Sequence, residues 1–182
     1  VVTQNVTLVG GQQYSDYANS TPVNDFITAR DTVYRGCGVP PNVAWMSWEV
    51  WNTLRFHPQI LDALGFKFNR PGGLEVDELA LAMGVDKILI ANALYESAKE
   101  GQTSALLPIW AKNIWFGVLP DSAQPYQVSA GYRLGFQGEQ PRKVFKLNNF
   151  NPPGSTKILV EDNYDLLINN ALALYMIKSA IA

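Results

Sequence analysis

Charged side chains are scarce in this chain of 182 residues, at 16% of the composition, against roughly 25% in an ordinary soluble domain. The 14 Lys and Arg residues form no cluster, and the 16 Asp and Glu residues leave a formal charge of −2. A dedicated nucleic-acid binder would carry a basic patch that neutralises phosphates. The composition therefore argues against that class, and the weakly charged surface points to protein partners.

Cysteine and histidine occur once each, as Cys37 and His57. A single cysteine forms no internal disulfide, so a disulfide-stapled secreted domain is not expected and a reducing compartment is the simplest interpretation. These two residues furnish no zinc site without several carboxylates, and the acidic residues are spread singly along the chain. A catalytic pair of Cys37 and His57 is also disfavoured, because Cys37 lies between two glycines, where a turn is expected.

Long apolar runs are missing as well. No stretch reaches the roughly 18 to 20 residues that span a bilayer, and the first residues lack the pattern of a signal segment. We therefore expect a soluble protein without a membrane partner. The glycines of LVGGQQ and RPGGLE do not have the spacing of phosphate-binding loops and are predicted to be turns. The sequence thus predicts no catalytic, cofactor-binding or metal-binding residue and no cofactor.

Apolar residues make up 47% of the chain, enough for one domain or for two small lobes that share a core. The stretch VVTQNVTLV predicts a strand. Thr21 is a suitable cap before Pro22, and the apolar spacing that follows predicts an amphipathic helix that stops at Gly36 and Gly38. The segment VAWMS predicts the next strand, after which Ser47 would cap a second helix.

Three large side chains, those of Trp48, Trp51 and Leu54, are predicted to form one buried stripe of this second helix. Pro58 disfavours the helical conformation at His57, so we expect His57 at a helix boundary and Pro58 at the start of a short helix. A lone histidine at such a boundary is expected to be solvated or hydrogen-bonded. A structural role is therefore favoured over a catalytic one.

The second half of the chain alternates between apolar runs and turns. LEVDELALAMG predicts a helix ended by Gly84, while DKILIANALY and LPIWAKNIWFGVLP each predict one strand. RKVFKLNNF and KILVEDNYDLLI, joined by the turn NPPGS, predict a long antiparallel hairpin, with Asp162 and Asp165 facing water. The stretch ALALYMIKSAIA predicts a final apolar element. The fold class is α+β and, by exclusion, the function is structural or interactive.

Four motifs follow one another in a fixed order. The first contains a helix, a G-x-x-P-N turn, a strand and a helix with an HP pair, in NSTPVNDFITARDTVYRGCGVPPNVAWMSWEVWNTLRFHPQILDALGF. The others are LEVDELALAMGVDKILIANALYESAKEG, IWAKNIWFGVLPDSAQPYQVSAGYRLGF and ILVEDNYDLLINNALALYMIKSAIA. In this order, over nearly the whole chain, they resemble the major capsid proteins, or head proteins, of tailed bacteriophages and prophages.

This resemblance implies the tailed-phage major capsid fold, which has two lobes. An axial lobe, a sheet flanked by helices, would comprise residues 41–130 and 166–182. A peripheral lobe, made of a spine helix and a long β-hairpin, would be discontinuous and comprise residues 1–40 and 131–165.

The resemblance also assigns individual segments. The helix from Pro22 to Gly36 would be the spine helix or its last part. The N-terminal arm and extended loop of the family would lie upstream of Val1 and be largely absent. The loops Phe66 to Leu74 and Pro120 to Gly131 are candidate contacts between subunits.

The implied function is mechanical and not enzymatic. Copies of the chain would self-assemble as pentamers and hexamers into an icosahedral shell that encloses phage double-stranded DNA without sequence-specific binding. Scaffold, portal and maturation protease would be its further partners, and the virion its location, with the host cytoplasm as the place of assembly. One alternative is the shell protein of a nanocompartment with the same fold. A second, ranked far behind, is a small hydrolase that uses His57 or Cys37.

Overall fold

The chain divides into two compact units, which are described separately. The larger comprises Val1–Ala130 and Asn170–Ala182, and the smaller comprises Gly131–Asn169. Residues 1–40, which the resemblance places in a peripheral lobe, group with the larger unit. The lobe boundaries themselves stay a prediction. The structure, a computed structural model, describes residues 4–65, 72–122, 124, 126–135, 142–149 and 155–182.

The described residues form helices, strands and two single 3₁₀ turns. The helices are α1 (Pro22–Cys37), α2 (Trp48–Leu54), α3 (Pro58–Ala63) and α4 (Val76–Met83), and the 3₁₀ turns are Gly10–Gln12 and Ala171–Ala173. The strands are β1 (Asn5–Thr7), β2 (Val43–Ser47), β3 (Lys87–Ala91), β4 (Leu94–Glu96), β5 (Leu106–Pro108), β6 (Ile114–Gly117), β7 (Gly131–Gly135), β8 (Arg142–Asn149), β9 (Ser155–Asp162), β10 (Tyr164–Ile168) and β11 (Leu174–Lys178). The predicted α+β class is confirmed.

A mixed five-stranded sheet in the order β1-β11-β6-β2-β3 organises the larger unit. Strand β6 runs antiparallel to both of its neighbours, whereas β1 with β11 and β2 with β3 are parallel pairs. The predicted strand VAWMS is β2, which lies between β6 and β3, and four of its five residues are buried, as expected for an inner strand. The predicted final apolar element becomes β11, which joins the sheet between β1 and β6.

Helix α1 packs on this sheet and forms much of the core. Its buried residues include Phe26, Ala29 and Val33, which recur at helical spacing. The ring of Phe26 lies 5.9 Å from that of Phe116 on β6 and 6.0 Å from that of Tyr14. This packing explains why α1 groups with the larger unit.

The predicted helix boundaries are nearly correct. Helix α1 begins at Pro22 after Thr21, although the Thr21 side chain makes no capping hydrogen bond, and Gly38 ends the helix in the left-handed conformation with φ of 77°. The prediction that Gly36 also stops the helix is wrong. Gly36 lies inside α1, where a Cβ would come within 3.0–3.1 Å of Gln4 and Leu172. It therefore permits close packing.

The predicted buried stripe of α2 is only partly correct. Trp51 and Leu54 are buried, but Trp48 is 51% exposed. At 3.6 residues per turn, positions six apart point about 120° away from each other. Trp48 is therefore turned out of the core, and Val50 is buried in its place. The Ser47 hydroxyl caps α2 as predicted, accepting from the Val50 amide at 3.5 Å.

Each of three predicted strands proves to be two. The stretch DKILIANALY contains β3 and β4, and LPIWAKNIWFGVLP contains β5 and β6, separated by a turn in which Ala111 has φ of 49°. KILVEDNYDLLI contains β9 and β10, which pair with β8 and β7 respectively. The antiparallel pairing of β8 with β9 confirms the predicted hairpin. Most of its predicted turn, residues 151–154, lies outside the described residues.

Candidate functional site

His57 carries the chain's single imidazole, the side chain that most often moves protons near neutral pH. It is fully buried and occupies the N-cap of α3 directly before Pro58. Its Nδ1 accepts a hydrogen bond from the Gln59 amide at 3.3 Å, its Nε2 lies 2.9 Å from Ser20 Oγ, and the Tyr17 ring packs edge-on at 5.3 Å. The predicted boundary position and hydrogen bonding are confirmed, whereas solvation is not.

The direction of these hydrogen bonds bears on catalysis. Because Nδ1 accepts from an amide, the neutral ring carries its proton on Nε2 and donates it to Ser20 Oγ. The Ser20 hydroxyl in turn donates to the Asp16 carbonyl. A catalytic serine does the reverse, giving its own proton to the imidazole. Burial also lowers the pKa of His57 below its usual value, because desolvation disfavours the charged ring. This arrangement ties a loop to a helix and does not activate Ser20.

Cys37 lies far from this network. It is the last residue of α1, and its thiol donates to the Val33 and Val39 carbonyls at 3.2 and 3.3 Å. Ser20, the partner of His57, comes just before the other end of the same helix. A 16-residue helix rises about 24 Å, so the structure does not bring Cys37 and His57 together.

A second cluster of polar side chains consists of the half-buried Asp25 with Tyr14 and Tyr175. The hydroxyl of the buried Tyr14 donates to the Asp25 carboxylate at 3.0 Å. Desolvation raises the pKa of Asp25, with the hydrogen bond from Tyr14 acting in the opposite direction. Burial and the nearby carboxylate also raise the pKa of Tyr175. The hydrogen bond between Tyr14 and Asp25 joins the loop before α1 to the first turn of that helix.

Within the described ranges, no group of three or more His, Cys, Asp or Glu side chains is arranged to hold a metal ion. In the same ranges no helix is long and apolar enough to cross a membrane.

The smaller unit has an unusual surface. None of the side chains that the structure describes between residues 131 and 169 is buried. In the hairpin of β8 and β9, Val144 pairs with Val160 and Phe145 pairs with Leu159. Because neighbouring residues of a strand point to opposite faces, each face of the hairpin carries one exposed apolar pair. A two-stranded hairpin of this kind is marginally stable alone and gains stability when a partner covers it.

A similar hairpin, formed by β4 and β5, projects from the larger unit. Its apolar side chains Leu94, Tyr95, Leu106 and Leu107 are all exposed. A mostly apolar cavity of about 340 Å³ lies at its base, lined by Trp48, Glu49, Ala91, Asn92, Leu94 and Pro108. The half-exposed Trp48 that the sequence placed in the core is thus part of a surface.

The two loops predicted to contact other subunits differ in how much of each the structure describes and in how exposed their residues are. Residues 66–71 of the loop Phe66 to Leu74 lie outside the described residues, and its last residue, Leu74, is buried. In the loop Pro120 to Gly131, Tyr126 is fully exposed whereas Ser129 and Ala130 are buried. The exposed apolar surfaces of the hairpins were not predicted. Consecutive apolar residues such as Ile158, Leu159 and Val160 could have revealed one, because such a run places apolar side chains on both faces of a strand.

Solved structures share this fold. A phage-related protein from Bordetella bronchiseptica superposes with a TM-score of 0.79 at 21% sequence identity, over 99% of this chain and 56% of that one. A virus-like particle protein from Pyrococcus furiosus gives 0.53 at 12% identity, over 97% of this chain and 56% of that one. A proposed prophage capsid protein from Escherichia coli CFT073 gives 0.52 at 14% identity, covering 95% and 52%.

The likeness is one of fold. No protein-family model matches the sequence, and no curated protein matches it. The chain spans a little over half the length of the solved structures it resembles. The chain therefore has a phage capsid-like α+β fold, and the resemblance predicted from the sequence motifs is confirmed at this level.

Proposed function

We propose that the chain belongs to a structural protein that assembles, in many copies, into a closed shell. The observation that carries this proposal is the superposition of 99% of the chain on a phage-related protein with a TM-score of 0.79. The exposed apolar hairpins support it, because such surfaces are stabilised when neighbouring copies bury them. No enzymatic step is part of this function.

The finer form of the proposal is a major capsid protein of a tailed phage or prophage. Its pentamers and hexamers would close into an icosahedral shell around double-stranded DNA, with scaffold, portal and maturation protease as partners and the virion as its location. The formal charge of −2 suits a shell that does not gather DNA by basic segments. In this proposal most of the axial lobe, residues 41–130 and 166–182, lies within the larger unit, and residues 131–165 of the peripheral lobe lie within the smaller unit.

A second candidate is a nanocompartment shell that encloses proteins instead of a genome. The likeness to a virus-like particle protein from Pyrococcus furiosus, with a TM-score of 0.53, keeps this candidate open. Neighbouring genes separate the two, since terminase and portal genes accompany a phage shell and a cargo enzyme accompanies a compartment.

Electron microscopy of the purified, fast-sedimenting protein tests the shared core of both proposals. We expect uniform closed shells. Nuclease treatment before extraction of the contents then distinguishes protected DNA from protein cargo. Small particles alone, in the presence of co-expressed neighbouring genes, would overturn the shell function.

A further inference from the structure

The smaller unit contains a break between its two strand pairs. Strand β9 ends at Asp162 and β10 begins at Tyr164, so Asn163 alone separates them. The two strands nevertheless belong to different two-stranded sheets, because β9 pairs with β8 and β10 pairs with β7. Between β9 and β10, the link from the β8–β9 hairpin to the β7–β10 pair is therefore a single residue.

Arg133 on β7 reaches across this break. Its Nη2 donates to Asp162 Oδ1 at 2.9 Å, on the hairpin side. Its guanidinium also lies 4.2 Å from the centre of the Tyr164 ring, on the side of the strand pair. Tyr164 pairs with Gly135, two residues from Arg133, so Arg133 and Tyr164 share one face of that pair. One side chain thus contacts the residues immediately before and after the break.

Arg142 offers a comparison within the same cluster. Its Nη2 donates to the other oxygen of Asp162 at 3.3 Å. Arg142 is paired directly with Asp162 in the β8–β9 ladder, so this ion pair stays inside the hairpin. Removal of Arg142 should weaken the base of the hairpin, whereas removal of Arg133 should eliminate the ion pair between the hairpin and the strand pair.

The contacts of Arg133 are suited to an adjustable connection. Its side chain is 53% exposed and that of Asp162 is 24% exposed. Ion pairs at this exposure are weak and are screened by salt, and an exposed cation–π contact is similarly modest. Such contacts favour one angle without preventing others.

We propose that Arg133 is a positioning residue that sets the angle between the β8–β9 hairpin and the β7–β10 strand pair, forming an adjustable joint at Asn163. The existence of the joint is inferred from the geometry of the smaller unit alone. Its role in assembly rests on the proposed function. Pentamers and hexamers of one shell place the same chain in non-identical surroundings and therefore require more than one hairpin angle.

The experiment measures distances between two nitroxide labels by pulsed electron resonance. The labels are placed at Ile158→Cys in the hairpin and at Leu167→Cys in the strand pair, both exposed positions. Leu167 pairs with Tyr132 and so points away from Arg133. The background carries Cys37→Ser, which keeps a donor for the Val33 and Val39 carbonyls, and labelled chains are diluted with unlabelled ones to remove distances between copies.

We expect Arg133→Gln to broaden or shift the distance distribution and Arg142→Gln to leave it unchanged. Raising the ionic strength should broaden the distribution of the unsubstituted chain but add little to that of Arg133→Gln. Identical distributions for the unsubstituted chain, Arg133→Gln and Arg133→Lys would overturn the proposal. Equal broadening by Arg142→Gln would also overturn it, because hairpin integrity would then explain the effect.

A second measurement examines the use of the joint. Electron microscopy of Arg133→Gln assemblies should show a wider range of particle diameters than Arg142→Gln assemblies. Unchanged diameters together with altered label distances would overturn the proposed use of the joint in shell assembly. The joint itself would still be supported by the label distances. If the unsubstituted protein forms no shell, the proposed function fails, while the label distances still decide whether the joint exists.

Discussion

At the scale of single residues, Gly117 shows how closely the sheet is packed. It lies at the end of β6, and a Cβ built there would come 2.7 Å from the Trp45 ring and 2.9 Å from Leu174. Both neighbours are large side chains on the adjoining strands β2 and β11. The glycine is therefore required by its neighbours and not by its own backbone conformation.

Substitution Gly117→Ala should lower the free energy of unfolding by about 1–3 kcal/mol, because relieving the overlap displaces Trp45 or Leu174. Chemical denaturation followed by tryptophan fluorescence measures it. Gly72→Ala is the matched control, since a Cβ at Gly72 meets nothing within 4 Å. A similar loss for both variants would contradict the packing argument.

His57 should make stability depend on pH. Its folded-state pKa is lowered by burial, so the unfolded chain binds the proton first as pH falls below the usual value of 6.5. The stability that the neutral ring contributes is therefore complete above that pH and is lost as the pH falls toward the folded pKa. The slope reaches at most about 1.4 kcal/mol per pH unit.

Urea unfolding of the native chain and of His57→Asn, at pH values from 7.5 to 5, isolates this effect. Asparagine keeps an oxygen that can accept from the Gln59 amide but does not titrate. The difference in stability between the two proteins should shrink as the pH falls.

We also expect His57→Ala to unfold cooperatively, with a free energy of unfolding lowered by about 1–3 kcal/mol, since the substitution leaves Ser20 without its buried hydrogen-bond donor.

At the scale of elements, two residues that both look like helix N-caps in the sequence differ in whether they make a capping hydrogen bond. Ser47 accepts a hydrogen bond from the Val50 amide at the start of α2, whereas Thr21 makes no such bond at the start of α1. Ser47→Ala should therefore lower the free energy of unfolding by about 0.5–2 kcal/mol. Thr21→Ala should lower it by clearly less. Thermal unfolding by circular dichroism compares them, and equal losses would show that the cap geometry does not matter here.

The sequence predicted most elements and the helix starts, but not the breaks inside the apolar runs. Helix starts were readable because proline and hydroxyl caps act locally, as at Pro22 and Ser47. The breaks inside apolar runs were not, because the turn at Ala111 uses a left-handed backbone conformation that alanine rarely adopts. The partners of β6 were equally hidden, since they lie far away along the chain.

The candidate surfaces were even harder to predict. Apolar residues in a strand normally indicate burial. The run from Ile158 to Val160 indicates apolar side chains on both faces of a strand, but whether Phe145 and Val160 are covered depends on the surrounding fold. Trp48 was misplaced for a similar reason, because its spacing from Trp51 fits a buried stripe for one turn but not for two. Exposure of these residues depends on which strands are missing beside them, which is a property of the fold.

At the scale of the whole molecule, the hairpin of β8 and β9 should matter for assembly and not for folding of the larger unit. Val160 is 57% exposed on the hairpin. Val160→Lys should raise the protein concentration needed for half-assembly by about tenfold, equivalent to about 1.4 kcal/mol, since a buried contact would then receive a charge.

Light scattering against protein concentration measures this shift, and urea unfolding checks that the larger unit is unaffected. Val160→Ile is the control, because it keeps the surface apolar and should assemble as the native chain does. Assembly of Val160→Lys at the native concentration would show that this face stays outside the contacts between copies.

The position of β11 has a consequence for synthesis on the ribosome. Strand β6 has β2 on one side from early on, but its other neighbour is β11, which is made only after the whole smaller unit. During that interval the edge of β6 and the short β1 stay unpaired, and such edges are prone to pair with other nascent chains. Translation of residues 131–169 therefore determines how long the unfinished sheet is exposed to misassembly.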